Sequence, residues 1–318
     1  MSRRLFLSVL VLFVLACDQT FNPKGEFEPV LAVYAVLSTD NNQALIRIVH
    51  TYDPPGFNPL EFAEDPSLTD ATVSIFKEDS VYSARDTTLG RTDTSRYGAG
   101  IKAYVVDPFP VEFGKQYSLT IQSPTYGTYT SSMVMPALGA IILANPEVLN
   151  EPKTFKNDSI FAYIGIVAIT RGYLLRAFLE FDRVENSQLV VRRAEVPILY
   201  HPITSDPVLP TVQRRVTPEG ERGLESTPQT LFQVQAFLKT ADMVHTDYPN
   251  STIRRAIFVL NQIDPNFYTY YSIVNGFEDE YSIRIDEPGY TNIAGGEGVF
   301  GGFTVEEMAY VLPLSEYN

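Results

Sequence analysis

The chain has one cysteine, no tryptophan and three histidines in 318 residues. A single cysteine excludes an internal disulfide, so an exported form must hold together by packing. His50, His201 and His245 are far apart and match no HxxxH or HExxH spacing. Without a thiol pair, a zinc site would need carboxylates from distant strands. Each histidine therefore reads as satisfied or solvated. No Gly-x-Ser-x-Gly elbow is present, which leaves an α/β-hydrolase triad without its nucleophile signature. The missing tryptophan removes a favoured interface anchor and the flat platform of many sugar-binding modules, a part tyrosine can take. Basic residues are scarce, 24 against 38 acidic ones, for a net charge of −14. That balance repels nucleic acid and anionic headgroups. Beyond the first residues, no apolar run is long enough to cross a bilayer as a helix.

The first residues are distinctive. Arg3 and Arg4 precede an apolar run from Leu5 to Leu15, broken by Ser8. The run is too short to span a bilayer and ends in Val14-Leu15-Ala16-Cys17, small-residue cleavage chemistry with a cysteine after the cut. The pattern resembles a bacterial lipoprotein signal. Residues 1–16 are then a signal peptide, and the resemblance implies a diacylglycerol on the Cys17 sulfur and a further acyl chain on its amine. Each buried CH₂ contributes ~0.8 kcal/mol, and two or more chains anchor stably where one does not. The expected location is the cell envelope, lipid-anchored, with the outer membrane first. An ordinary signal peptide with an incidental cysteine is the plainer alternative.

Residues 17–29, with Pro23, Gly25 and Pro29, read as a tether. Residues 30–137 follow a period of two. Tyr117, Leu119 and Ile121 alternate with Ser118, Thr120 and Gln122, and Ala71, Val73 and Ile75 with Thr72 and Ser74, as half-buried strands do. Asp40-Asn41-Asn42 is turn chemistry and predicts a hairpin between the first two strands. Six or seven short strands predict an immunoglobulin- or fibronectin-like sandwich. One connection, 53–69, carries Pro54, Pro55, Pro59 and Pro66 around Phe57, Leu60 and Phe62. It reads equally as a recognition loop or as an apolar flap over the sandwich's own core.

A connector, 138–158, leads to a larger β-rich domain, 159–318. Residues 160–169 are apolar on both faces, as in a covered central strand. Further strands are expected at 172–182, 189–200, 230–238 and 253–262, and a long exposed loop at 202–228. Asp264-Pro265 is a good helix start, and one short helix near 265–277 is expected. Its stripe of Tyr268, Tyr271 and Val274, flanked by Phe267 and Tyr270, reads as core contact. The fold class is therefore all-β: an immunoglobulin-like sandwich, then a larger β-rich domain with one short helix.

Several features together resemble one family. Tyr117, Leu119, Ile121, Pro124, Gly127, Tyr129, Thr130, Ser131 and Pro136 close the sandwich. Phe267-Tyr268-Thr269-Tyr270-Tyr271 then leads to Thr291-Asn292-Ile293 and Gly298-Val299-Phe300-Gly301. The combination is similar to the family catalogued as domain of unknown function 4249. The resemblance covers nearly the whole mature chain, except for 202–228. It implies an envelope lipoprotein of Bacteroidota-type bacteria working beside outer-membrane transporters, with no assigned catalytic residues.

The remaining constellations are weak. Residues 296–301 match Gly-x-Gly-x-x-Gly, but no βαβ unit surrounds them, and a tight turn or bulge is expected. The acids Glu278, Asp279, Glu280, Asp286 and Glu287 lack the ligand spacing of a calcium loop and read as a solvated edge. Glu180 and Asp182 share a strand face, where Arg176 and Arg192 or Arg193 are expected to neutralise them. The leading expectation is a non-catalytic binding or assembly partner that needs no cofactor and acts as accessory to an outer-membrane β-barrel transporter. Phe57, Leu60, Phe62 and Phe300 are its candidate contacts. The alternatives are a lipoprotein that captures a glycan, peptide or chelate and, ranked last, a hydrolase.

Overall fold

The computed structural model of the protein describes residues 27–53, 65–90, 100–144, 159–167, 169–215, 229–275 and 289–311. The chain is all-β, with two helices among these residues. Strands β1 (Leu31–Ser38) and β2 (Ala44–His50) form the expected antiparallel hairpin, and Asn41 N donates to Ser38 O at its turn. Strands β3 (Thr72–Lys77), β4 (Ser80–Ser83), β7 (Gln116–Ser123) and β8 (Gly127–Val134) make one sheet in the order β4-β3-β7-β8. Strands β5 (Arg85–Gly90) and β6 (Gly100–Val106) extend the β1–β2 side. The predicted alternation holds: Tyr117, Leu119 and Ile121 are buried. They meet Val33, Ala35, Ile46 and Ile48 of the opposite sheet in one core, which makes this region a two-layer sandwich.

The rest of the chain builds a second core. Strand β10 (Ser159–Gly165) lies between β9 (Ala140–Ala144) and β16 (Gln229–Gln233). Four long strands follow: β11 (Gly172–Glu185), β12 (Gln188–Val196), β17 (Thr252–Ile263) and β18 (Glu297–Tyr310). The segment expected as an exposed loop carries two short ladders in its described part, β14 (Pro207–Val208) against β13 (Leu199–Tyr200), and β15 (Gln213–Arg214) against β11. Leu175, Ala177 and Leu179 of β11 and Ala256, Phe258 and Leu260 of β17 bury one sheet face. Phe232, Phe237 and Phe258 close on one another there, with ring centroids 5.8–6.3 Å apart.

Two observations depart from expectation. The strand expected at 230–238 stops at Gln233, and helix α1 (Val234–Asp247) follows. Its buried residues Val234, Phe237, Ala241 and Val244 follow the helical period. Phe232, Val234 and Ala236 also alternate with Gln233 and Gln235, and that period-two signal runs across the junction. Among the described residues there are therefore two helices, the other being α2 (Pro265–Asn275). Secondly, the main sheet crosses the expected boundary near residue 138. Strand β18 pairs β17 in antiparallel and β1 in parallel, giving the order β12-β11-β17-β18-β1-β2-β6-β5, with β15 beside β11. The chain has two cores on one sheet.

The glycine run explains the parallel seam. Gly298 has φ +101°, and a Cβ there would lie 2.0 Å from Val33 O. At Gly296 a Cβ would lie 2.6 Å from Leu31 O. Only glycine lets β18 come this close to β1. Beside it, Asn292 pairs with the backbone of Phe300 as a neighbouring strand would: Nδ2 donates to Phe300 O (2.7 Å) and Oδ1 accepts from Phe300 N (2.9 Å). Phe300 itself is fully buried in the sandwich core. This corrects its expected place as a partner contact: the flanking glycines bring β18 against β1, and the ring is enclosed by the protein's own core.

Candidate functional site

On the other face of β11, β17 and β18 the side chains turn away from the second core. Leu174, Arg176, Phe178 and Glu180 alternate along β11; Val259, Asn261 and Ile263 along β17; Phe303, Val305 and Glu307 along β18. Helix α2 lies along the edge of this surface. Between helix and strands runs an open groove of about 470 Å³, lined by Leu174, Phe178, Val259, Phe267, Tyr271 and Phe303 among others. Phe267 stacks on Phe303 with ring centroids 6.3 Å apart.

Asp264 fixes the helix wall. Its carboxylate accepts hydrogen bonds from Asn266 N (2.9 Å) and Phe267 N (3.4 Å), the N-cap expected from the sequence. It also accepts from Gly302 N at 2.6 Å, and Asp264 N donates to Gly302 O at 3.0 Å. The residue is fully buried. Burial pushes its carboxyl up to about 6, against the lowering effect of these three N–H donors. A Cβ at Gly301 would lie 2.7 Å from both Asp264 and Phe267, so glycine lets the helix sit directly on β18. The aromatic stripe then fans out. Tyr270 meets Tyr34 edge-on at 6.1 Å, and Tyr268 covers Gly172. Only part of the stripe is core contact; Phe267 and Tyr271 face the groove.

The rim is charged, and its arginines are paired. Arg176 holds Glu195 through two bonds of 2.7 Å and lies over the Phe178 ring at 4.7 Å. Arg193 holds Glu307 at 2.6 and 2.9 Å and reaches Glu180 at 3.5 Å. Arg193 keeps the Glu307 carboxyl below its usual range. Arg255 binds Glu180 at 2.7 Å, and Arg254 binds Asp182 at 2.6 Å. The Glu180–Asp182 pair is thus neutralised by arginine, chiefly Arg255 and Arg254 from β17, with the expected Arg193 in support. A second cavity of about 440 Å³ lies between β12 and α1, where Arg183 stacks 4.2 Å from the Tyr248 ring. Its Arg183 and Arg192 are both taken up by Glu185.

Other expected residues fall elsewhere. Cys17, Phe57, Leu60, Phe62 and the acids from Glu278 to Glu287 lie outside the described residues. The histidines stand apart: His50 stacks on Tyr126, His201 Nδ1 accepts from the N–H groups of Ile203 and Thr204, and His245 pairs with Ser251. No group of three or more His, Cys, Asp or Glu suited to a metal occurs among the described residues.

The model of the family described as domain of unknown function (DUF4249) matches residues 18–309. The chain belongs to the DUF4249 family. A search of curated proteins finds no significant match. The residues that carried the DUF4249 resemblance have definite structural roles in this chain. Tyr117 OH binds the backbone of Glu112, accepting from its N–H at 2.7 Å. The Tyr129 ring packs where a Gly296 Cβ would sit, and Ser131 Oγ donates to Asn292 O at 2.7 Å. The groove floor of this chain was not legible in the sequence. Its residues come from three strands distant in sequence, and the one local signal was the Phe267–Tyr271 spacing on α2.

Proposed function

We propose that this DUF4249 protein is a non-catalytic binding partner in the bacterial cell envelope. It is held to the membrane by acyl chains on Cys17 and docks an outer-membrane β-barrel transporter. The observation that carries this reading is the groove, an aromatic-lined apolar surface on whose rim the guanidiniums of Arg176 and Arg193 are each bound bidentately by a carboxylate. Such a surface buries a partner's side chains. Among the described residues it presents no nucleophile beside a base, the pairing that covalent catalysis needs. The acidic chain gains nothing from anionic headgroups, so acyl chains supply the attachment.

A second reading, capture of a glycan, peptide or chelate, draws on the groove's volume of about 470 Å³, which falls within the range of small-molecule sites. Radiolabelled palmitate is expected to enter the wild-type protein and not Cys17→Ala. The labelled protein, purified from envelope membranes, is expected to bring down one outer-membrane barrel protein in near-equal amount. Unlabelled wild-type protein contradicts the anchor; labelled protein without a barrel companion contradicts the transporter role.

A further inference from the structure

The geometry points to an extended, uncharged peptide segment of another protein as the groove's occupant, its backbone read by the side-chain amide of Asn261. This rests on the binding role above and names what is bound. Asn261 sits mid-floor on β17, between Val259 and Ile263 and opposite Leu174 and Val305. It is half-buried, and its side chain makes no hydrogen bond among the described residues. A primary amide carries both a donor and an acceptor, the complement of one peptide unit's C=O and N–H. The chain already uses this pairing, since Asn292 satisfies both backbone groups of Phe300 at 2.7 and 2.9 Å. Asn261 offers the same pair of groups to a segment lying over the floor.

Charge selects the occupant. The chain carries −14, yet the two cations at the rim among the described residues, Arg176 and Arg193, are engaged by Glu195 and Glu307. Asp40 remains at the solvent-exposed mouth, its carboxylate accepting from the Ser38 hydroxyl. A charged side chain on the floor would have to break an ion pair or stay unpaired, which costs more than an apolar one gains. Phe178, Phe267, Tyr271 and Phe303 are half-buried around the floor and offer ring surface to aromatic or aliphatic side chains. A glycan would leave most of its hydroxyls facing this apolar lining unpaired.

The test is panning of phage-displayed random dodecapeptides on the full-length lipidated protein in detergent micelles. The enriched sequence is then synthesised with blocked ends and titrated. Uncharged peptides rich in aromatic and aliphatic residues are expected. Asn261→Ala is expected to raise Kd about tenfold, and Val305→Arg to remove measurable binding, both without a change in melting curve. If Val305→Arg misfolds, the Asn261→Ala titration decides alone. Enrichment of charged peptides, no enrichment, binding of a neutral glycan panel instead, or unchanged Kd in Asn261→Ala overturns the inference. Peptide binding by a protein that carries no barrel companion contradicts the transporter role and leaves this inference standing. A barrel protein still held by Asn261→Ala, with no peptide enriched, overturns this inference alone.

Discussion

Gly298→Ala is expected to destabilise the protein by about 3–5 kcal/mol, combining the strain of a positive φ with that of overpacking. The added methyl would lie 2.0 Å from Val33 O at φ +101°. The obstacle is a backbone carbonyl, which cannot swing aside as a side chain can. Relief requires β18 to move away from β1 along the register that runs from Ala32 opposite Glu297 to Ser38 opposite Phe303. Phe300 is fully buried within that register, so the movement opens the first core as well. Gly114→Ala is the control. Its φ is +71°, but nothing lies within 4 Å of the new methyl, so only backbone strain of about 1–2 kcal/mol applies. Urea denaturation of the two variants checks the difference, and equal midpoints would show that the parallel seam is looser than described.

Asp264 predicts the pH dependence. Its carboxyl is held near 6 in the folded chain against an ordinary 3.8, because burial disfavours the charge. Well above pH 6, from about pH 7, the group is ionised in both states, and folding carries the full penalty, of order 3 kcal/mol. As pH falls from about 7 to 4 the folded state takes up the proton first, and stability rises. Glu306, raised by burial, acts with the same sign. Glu185, lowered to about 2 by Arg192 and Arg183, loses its stabilising effect only below its ordinary 4.5. Between pH 7 and 5 the melting temperature is therefore expected to increase on acidification. Asp264→Asn keeps one acceptor and has no charge to relieve, so it is expected to flatten that rise. Thermal melts of both proteins across this range provide the check. A wild-type melting temperature that falls steadily from pH 7 to 5 would falsify the assignment.

The strands of the sandwich were legible in the sequence because one face is wet and the other dry, so Tyr117, Leu119 and Ile121 announce both strand and core. The N-cap of α2 was legible because Asp264-Pro265 is local chemistry. Pairing partners were not. Nothing near Gly298 indicates that its neighbour is Val33, and that long-range choice joins the two halves into one sheet. Helix α1 was hidden because its first apolar residues fit both periods. The groove was not legible: Phe267 and Tyr271 belong to an aromatic stripe whose helical spacing reads as core contact, yet both face the groove. Its floor depends on the register that sets Leu174, Asn261 and Val305 side by side, which no single stretch of sequence carries.

Site-specific photo-crosslinking tests the central claim, that the groove is the docking face for an outer-membrane transporter, most directly. A benzophenone amino acid replaces Phe178 in the groove or, as control, Val81 on β4, which is 58% exposed and belongs to the other sheet. Irradiated in living cells, the Phe178 position is expected to form one adduct, with a barrel protein identified by mass spectrometry, and the Val81 position none. Adducts of equal yield from both positions, or no barrel adduct from Phe178 in a protein that melts normally, would contradict the account.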